Sequence, residues 1–219
     1  AEYSVGHWLR EVEPLLPLNP VIVGGTGLYF TALTEGLAQI PPTPPELRAR
    51  ADAILRRHGL APLLADLDPA TAARIDRQNP ARVQRAWEVL QATGQGLAVW
   101  QDQTPAPLLP LSQAEAWVLV PQPDWLADRI SQRFAAMLAE GALEEARAAL
   151  PHWPADAGSA SAPLWTRAIG APELVAHLQG QMSLPDAMAA ATLATRQYAK
   201  RQRSWFRARM TDWRALPLP

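Results

Sequence analysis

A glycine-rich segment near the start of the chain contains the first side chain that could bind a ligand. Residues 21–27 read Val-Ile-Val-Gly-Gly-Thr-Gly and place Thr26 between glycines. Because glycine has no β-carbon, the Thr26 hydroxyl and the neighbouring backbone N–H groups could approach a ligand closely at the start of a helix. The same pattern is typical of a tight turn between a strand and a helix. Thr26 is therefore a candidate binding residue, with a structural turn as the alternative.

A second candidate site lies in the last 24 residues, which contain seven basic residues and one acid. With about 100° between successive helical residues, Arg196, Lys200, Arg203 and Arg207 fall within an arc of roughly 60°. A stripe of four cations is typical of a surface that follows a nucleic-acid backbone. A helix face that is merely solvated is the alternative. Trp205 lies off this stripe and could stack on a base or cover the boundary between domains.

Arginines in two further places have the spacing of anion-binding groups. Arg129 and Arg133 are four residues apart and share one face of a predicted helix. In a fold that handles phosphates such a pair would bind a diphosphate, and two solvated arginines are the alternative. Arg82 and Arg85 are three apart at the start of another predicted helix, close to its positive end. Arg48 stands on the first of the four helices predicted between residues 46 and 101.

Composition restricts the class of protein. The 219 residues are 48% hydrophobic with a net charge of −1, which suits a folded chain with a sizeable core and excludes a disordered one. The absence of cysteine excludes disulfides and thiolate metal sites. No apolar run approaches the roughly 20 residues of a membrane span, and the first residues do not resemble a signal peptide. We therefore expect a cytoplasmic protein without a membrane partner.

The positions of the basic residues also exclude one kind of phosphate site. Lys200 is the only lysine, and no glycine lies near it. A P-loop of the form Gly-x-x-x-x-Gly-Lys-Ser/Thr is therefore absent from residues 1–219.

The first elements suggest an alternation of helices and strands. Ser4 is a predicted N-cap for a short helix, and residues 21–23 are a predicted buried strand that enters the glycine turn. A helix should follow over residues 28–33 and end near Gly36. Four prolines within residues 40–45 then favour an extended connection between domains.

The middle of the chain is predicted to be an all-helical insert. Between residues 46 and 101 we expect four helices, one of them capped by Asp68 and two ended by Gly59 and Gly94. Residues 116–120 are then a predicted strand, followed by a long helix with Leu126, Ile130, Phe134, Met137 and Leu138 as its buried stripe. A last helix should begin near Ser183 and run to about Arg209, before an edge strand around Leu216.

Four motifs in order resemble the signatures of the tRNA dimethylallyltransferases, also called isopentenyltransferases. They are Val-Gly-Gly-Thr-Gly-Leu-Tyr at 23–29, Asp76 with Asn-Pro-Ala-Arg-Val-Gln-Arg-Ala-Trp-Glu at 79–88, Arg-Ile-x-x-Arg at 129–133, and Thr-Arg-Gln-x-Ala-Lys-Arg-Gln-x-x-Trp-Phe-Arg at 195–207. Together they extend over nearly the whole chain.

The resemblance implies a fold and an activity. Members of this family transfer a dimethylallyl group from dimethylallyl diphosphate to N6 of adenine-37, next to the tRNA anticodon. The implied fold class is α/β, with a P-loop kinase-like parallel-sheet core that carries an inserted all-helical domain. Residues 1–43 and 112–219 would then belong to the core, and residues 44–111 would form the tRNA-binding insert. A monomer is expected.

The resemblance also implies roles for individual residues. Thr26 would approach the flipped-out target base, since enzymes that modify a base take it out of the stack. Arg48 would contact the tRNA anticodon stem-loop, and Arg129 and Arg133 would bind the diphosphate. The other implied tRNA contacts come from three segments and comprise Ala81, Arg82, Val83, Gln84 and Arg85, then Arg167, Ala168, Ile169, Gly170 and Ala171, and finally Arg196, Lys200, Arg201, Gln202, Arg203, Trp205 and Arg207.

The chain departs from the family pattern in two ways. The family's P-loop, which binds the diphosphate, and the aspartate that acts as catalytic base are both expected before Ala1. We therefore assign no catalytic residue or metal ligand within residues 1–219, although the family is expected to use Mg²⁺ and to bind a nucleotide. The family also usually continues Ile-Gly with Tyr and a charged residue, where this chain has Ala171 and Pro172.

Two other interpretations of the whole chain stay open at this point. One is a tRNA-binding fragment with no catalytic activity of its own. The other is a helical protein-interaction module whose basic face is only solvated.

Overall fold

The computed structural model describes residues 3–158 and 162–218, and the chain divides into two compact units. Unit 1 comprises Ala1–Glu115 and unit 2 comprises Ala116–Pro219. The described residues are mostly helical, and their β structure is a two-stranded parallel sheet in unit 2. The predicted P-loop core and the predicted domain boundaries at residues 43 and 111 stay predictions.

Unit 1 begins with two helices that pack on each other. Helix α1, Val5–Val12, starts at Ser4, whose hydroxyl accepts a hydrogen bond from the His7 backbone N–H. A 3-10 turn over Glu13–Leu18 follows, and helix α2, Gly27–Glu35, ends at Gly36, which has a positive φ of 97°. The predicted Ser4 cap and the predicted end at Gly36 are confirmed.

The strand predicted over residues 21–23 is wrong for this structure. Residues 21–24 have no regular secondary structure, and Val21 and Val23 are 91% and 86% exposed. A strand needs a partner for its ladder of hydrogen bonds. The ladder found in the described parts of the chain joins two segments of unit 2 and does not include residues 21–24.

The rest of unit 1 is a group of helices with its own apolar core. The core contains Leu63, Val83 and Trp87, and the Trp87 indole N–H donates to Asp66 Oδ2 over 2.9 Å. Four of the helices were predicted, with the caps at Asp68 and Gly94; a fifth, Leu97–Asp102, was not. Their bounds are α3 Pro45–His58, α4 Ala61–Ala65, α5 Pro69–Arg74, α6 Pro80–Thr93 and α7 Leu97–Asp102.

Unit 2 is closed by a parallel pair of strands that come from its two ends. Strand β1, Trp117–Pro121, pairs with strand β2, Arg214–Leu218, and Leu119 lies opposite Leu216. The predicted strand at 116–120 and the predicted final edge strand are confirmed. The helices between them are α8 Pro123–Ala139, α9 Ala142–Ala149, α10 Ala171–Leu178 and α11 Leu184–Arg209.

Helices α8 to α11 share an apolar core around Phe134 and Ala191. The predicted apolar stripe of α8 is only partly correct, because Met137 is 37% exposed. Around the helix, Met137 lies between Leu126 and Ile130, which line open grooves, whereas Phe134 points into the core. Helices α9 and α10 were not predicted.

Candidate functional site

Thr26 occupies the N-cap position of α2, and its side chain makes no capping hydrogen bond. The residue is exposed, and its backbone carbonyl accepts from the Tyr29 N–H over 3.0 Å. A threonine at an N-cap normally accepts from the backbone of the first turn. The hydroxyl of Thr26 therefore does not cap α2, although it stands at the capping position.

The glycines beside Thr26 do not have an unusual backbone angle. None of Gly24, Gly25 and Gly27 has a positive φ. A β-carbon added at Gly24 would meet the Phe30 ring at 3.5 Å, an ordinary contact. A side chain would therefore fit at Gly24, and neither its space nor its backbone angle requires glycine.

Three of the predicted RNA contacts in unit 1 converge on one buried carboxylate. Glu88 Oε1 lies 3.6 Å from Arg48 Nε, and Oε2 lies 3.9 Å from Arg85 Nη1. Gln84 donates its amide N–H to Glu88 Oε1 over 3.0 Å and to Asp52 Oδ1 over 2.8 Å. Helices α3 and α6 therefore present Arg48, Gln84 and Arg85 as a connected cluster.

The other residues of the 81–85 segment divide between surface and core. Ala81 and Arg82 are exposed in the first turn of α6, where the Asn79 side chain accepts from the Arg82 N–H over 3.3 Å. Val83 is fully buried in the core around Trp87, so its side chain faces away from any RNA. Arg85 also donates to the Thr43 hydroxyl in the proline-rich connection.

In unit 2, three residues of the predicted basic stripe line a groove between α8 and α11. The groove has a volume of about 260 Å³. Its α8 side is apolar, with Leu126 and Ile130, and its α11 side contains Arg196, Lys200 and Arg203. Arg196 donates to the Ser131 hydroxyl over 3.4 Å.

Arg129 and Arg133 line a second groove of about 430 Å³ on α8. Leu126 and Ile130 line both this groove and the groove between α8 and α11, so they form an apolar ridge between the two grooves. The Arg129 guanidinium lies over the Trp125 ring at 5.8 Å from its centroid, which restricts its movement. The salt bridges seen in the described regions lie elsewhere, so neither guanidinium is neutralised by one of them.

The remaining predicted contacts on α11 are distributed around the helix. Arg201 lies over the Tyr198 ring at 5.7 Å, and the Trp205 ring meets Phe206 edge-on at 6.1 Å. Gln202 is half-buried and Arg207 is exposed.

Within the predicted segment 167–171, Gly170 has a structural role. This glycine has a φ of 101°, and a β-carbon there would lie 2.9 Å from Phe134 Cε2. Its N–H donates to Glu173 Oε2 over 3.0 Å.

The structure explains why Ala171 and Pro172 can replace the usual family residues. Both lie in the first turn of α10, where a proline has no hydrogen bond to lose. Arg167, Ala168 and Ile169 are exposed just before that turn.

Sequence reasoning missed the role of Glu88. The residue was part of a recognised motif, but nothing in the sequence shows that α3 packs against α6 and brings Arg48 to it. Its spacing of three and four residues from Arg85 and Gln84 was the available signal.

Known proteins match this chain over nearly its whole length. The sequence profile of the IPP transferase family matches residues 1–209. The chain is 64% identical over 219 residues to a tRNA dimethylallyltransferase of Cereibacter sphaeroides, covering 99% of this chain and 73% of that protein. It is also 64% identical to a tRNA dimethylallyltransferase of Dinoroseobacter shibae, covering 98% of this chain and 72% of that protein.

Solved structures agree with this assignment. The full-length tRNA isopentenylpyrophosphate transferase of Bacillus halodurans is 27% identical and superposes with a TM-score of 0.59, covering 99% of this chain and 68% of that one. A eukaryotic dimethylallyltransferase acting on tRNA shares the fold with a TM-score of 0.76 at 23% identity, covering 99% of this chain and 57% of the other. The chain therefore belongs to the IPP transferase family, whose members matched here are tRNA dimethylallyltransferases.

Proposed function

We propose that this chain belongs to a tRNA-modifying prenyltransferase, which transfers a dimethylallyl group from dimethylallyl diphosphate to N6 of adenine-37. The observation that carries the proposal is the apolar ridge of Leu126 and Ile130, with cations in a groove on either side. A prenyl diphosphate combines an apolar chain with an anionic head, and tRNA is a polyanion. This surface of α8 and α11 suits both.

In this proposal Arg129 and Arg133 bind the diphosphate. The reaction forms a bond between adenine N6 and C1 of the dimethylallyl group and breaks the bond between C1 and the diphosphate oxygen. The diphosphate leaves with the electron pair, and N6 loses a proton to the base that the family supplies from an aspartate. Two guanidinium groups close to the leaving group stabilise the negative charge that grows on it.

The tRNA contacts are proposed for both units. In unit 1, Thr26 hydrogen-bonds the target adenine or an adjacent phosphate, and Arg48, Arg82 and Arg85 bind the RNA backbone. In unit 2 the stripe of α11 binds the anticodon stem, and the exposed Arg167 lies beside the substrate.

No step through Mg²⁺ or a nucleotide is assigned to these residues. Within residues 3–158 and 162–218, no three histidine or carboxylate side chains come close enough to hold a metal ion. The one lysine, Lys200, lines the groove between α8 and α11. We therefore propose that residues 1–219 by themselves bind tRNA without transferring the prenyl group.

We propose a cytoplasmic monomer. Among the described helices, none has both the length and the apolar character to cross a membrane.

The test is a product assay with matched RNAs. The full protein is incubated with dimethylallyl diphosphate, Mg²⁺ and a tRNA carrying adenine or guanine at position 37, and the nucleosides are analysed by mass spectrometry. N6-dimethylallyl adenosine should form only with adenine, because guanine has no N6 amine. A protein that yields no product with either RNA contradicts the proposal.

Variants then test the diphosphate site. Replacing Arg129 and Arg133 together by Gln should raise the KM for dimethylallyl diphosphate and lower kcat. Arg147→Gln is the matched control, because Arg147 lies on α9 in the same unit and pairs with Glu144 at 4.0 Å, outside both grooves. If the double variant lowers kcat/KM by no more for each charge removed than Arg147→Gln does, only overall charge matters.

A tRNA-binding fragment without catalysis is the second candidate. The absence of Gly-x-x-x-x-Gly-Lys from residues 1–219 favours it for this chain taken alone. It predicts binding of an anticodon stem-loop without product. A chain that binds no tRNA at low salt would instead support a protein-interaction module.

A further inference from the structure

Glu88 is a buried carboxylate beneath a surface that we assign to RNA binding. Its side chain is 2% exposed, whereas the side chain of its partner Arg48 is 56% exposed. A buried charge is tolerated in a protein when it is paired and hydrogen-bonded. Glu88 meets this condition with Arg48 from α3 and Arg85 from its own helix.

This arrangement leaves part of the Arg48 and Arg85 guanidinium groups free to bind RNA. Gln84 donates to the same carboxylate oxygen that faces Arg48, and its amide also reaches Asp52 on α3. Arg48 meets Glu88 through Nε, and Arg85 uses Nη1 both for Glu88 and for the Thr43 hydroxyl. Since a guanidinium has five N–H donors, several stay free for a phosphate.

We infer that Glu88 is a positioning residue for tRNA binding, which holds Arg48 and Arg85 from below so that their remaining donors face the RNA. This inference rests on the proposed function. Arginine side chains are long and lose rotamer freedom when they bind a phosphate. Two guanidinium groups that are already held in place lose less freedom on binding.

The inference and simple electrostatics predict opposite changes in RNA affinity when Glu88 is neutralised. Removal of a negative charge close to an RNA-binding surface should strengthen binding, because phosphates are then repelled less. If Glu88 positions the arginines, its neutralisation should weaken binding instead. The direction of the change therefore separates the two accounts.

The first measurement compares two neutralising variants of the full chain. The dissociation constant for an anticodon stem-loop is measured with Glu88→Gln and with Glu46→Gln, a matched control at an exposed position in the first turn of α3. Glu88→Gln should weaken binding roughly five- to tenfold, because both ion pairs that hold the arginines lose their carboxylate partner. Glu46→Gln should leave binding unchanged or slightly tighter.

The second measurement asks whether Glu88 acts through the arginines. When Arg48 and Arg85 have both been replaced by Gln, adding Glu88→Gln should cause no further loss of RNA affinity. A carboxylate that merely stabilises the fold would weaken binding equally in both backgrounds. Glu88→Asp is a further variant that keeps the charge but shortens the side chain, and it too should bind more weakly.

The outcomes are distinct. Binding that is unchanged or tighter in both Glu88 variants overturns the inference and leaves the proposed function standing. Loss of the folded state in both variants also overturns it, since Glu88 would then be a structural residue only. If the unmodified protein binds no stem-loop at low salt, both the inference and the proposed function fail.

Discussion

Gly96 lies directly against the carboxylate of Asp68, so that a β-carbon added at Gly96 would be 2.0 Å from Asp68 Oδ2. The same β-carbon would lie 2.9 Å from Thr71 Oγ1. Thr71 is fully buried, and its hydroxyl accepts from the Ala98 N–H over 3.0 Å. The start of α7 is therefore fitted against the N-terminus of α5.

Gly96→Ala should destabilise unit 1, because the added methyl must displace Asp68 or Thr71. We expect a loss of about 1–3 kcal/mol in the free energy of unfolding, typical of an overpacked interior. Gly6→Ala is the control, since an added β-carbon there makes only ordinary contacts, with Arg10 at 3.7 Å, Ser4 at 3.8 Å and Leu37 at 4.0 Å, and alanine favours a helix. Urea unfolding of both variants checks this, and equal stability would contradict the proposed fit.

Asp68 should make stability depend on pH below neutrality. Its pKa is held below the usual value mainly by the hydrogen bond from the Thr71 backbone N–H at 2.9 Å. A lowered pKa means that the folded state favours the ionised carboxylate, so the contribution is present above the unfolded pKa of about 3.9 and is lost as pH falls through the folded pKa.

Asp68→Ser tests this assignment, because serine keeps an N-cap acceptor but does not titrate in this range. Free energies of unfolding are measured between about pH 6 and pH 2. The unmodified protein should lose more stability than the variant as pH falls below about 4. Parallel curves would mean that Asp68 contributes nothing through its charge.

Thr26→Val should weaken RNA recognition with little effect on folding. Valine keeps the branched shape and removes a hydroxyl that makes no capping hydrogen bond. Loss of one hydrogen bond to the RNA should cost about 1 kcal/mol, or more if the partner is charged. Thermal melting is measured together with affinity for stem-loops with and without the target adenine.

Thr31→Val is the matched control on the same helix, because its hydroxyl donates within α2 to the Gly27 carbonyl over 3.2 Å. It should leave RNA affinity unchanged. If Thr26→Val lowers the melting temperature but preserves discrimination between the two stem-loops, Thr26 is a structural turn residue.

The basic stripe should determine part of the salt dependence of tRNA binding. Replacement of Lys200 and Arg203 by Gln should flatten the plot of log affinity against log salt by roughly 0.7 to 0.9 for each charge removed. Matching and non-matching stem-loops should be affected alike, because phosphate contacts carry no base identity. An unchanged slope would assign these side chains to a solvated surface; Arg147→Gln provides the comparison outside the groove.

Features that depend on nearby residues were predictable from the sequence. The caps at Ser4, Asp68 and Gly94 each involve residues within four positions, and all three occur as predicted. The start of α11 also follows from a local signal, since Ser183 caps it.

Features that depend on residues far away in the chain were not predictable from the sequence. Residues 21–23 have the composition of a strand, but a strand is defined by the chain that pairs with it. Leu126 and Ile130 have the spacing of core residues, yet they line grooves because α11 covers only part of α8. The role of Glu88 likewise depends on the packing of α3 against α6, which brings Arg48 to within 3.6 Å of it.

The pairing of β1 with β2 delays the folding of unit 2 during synthesis. The two strands join Trp117 to Arg214, so the sheet links the first and last elements of the unit. During synthesis, β1 leaves the ribosome at a stage when its partner has not yet been translated. Contacts between such distant segments close a long loop and form late and slowly. β1 therefore stays an unpaired, apolar strand until residues 214–218 emerge, and during that interval unit 2 is prone to aggregation.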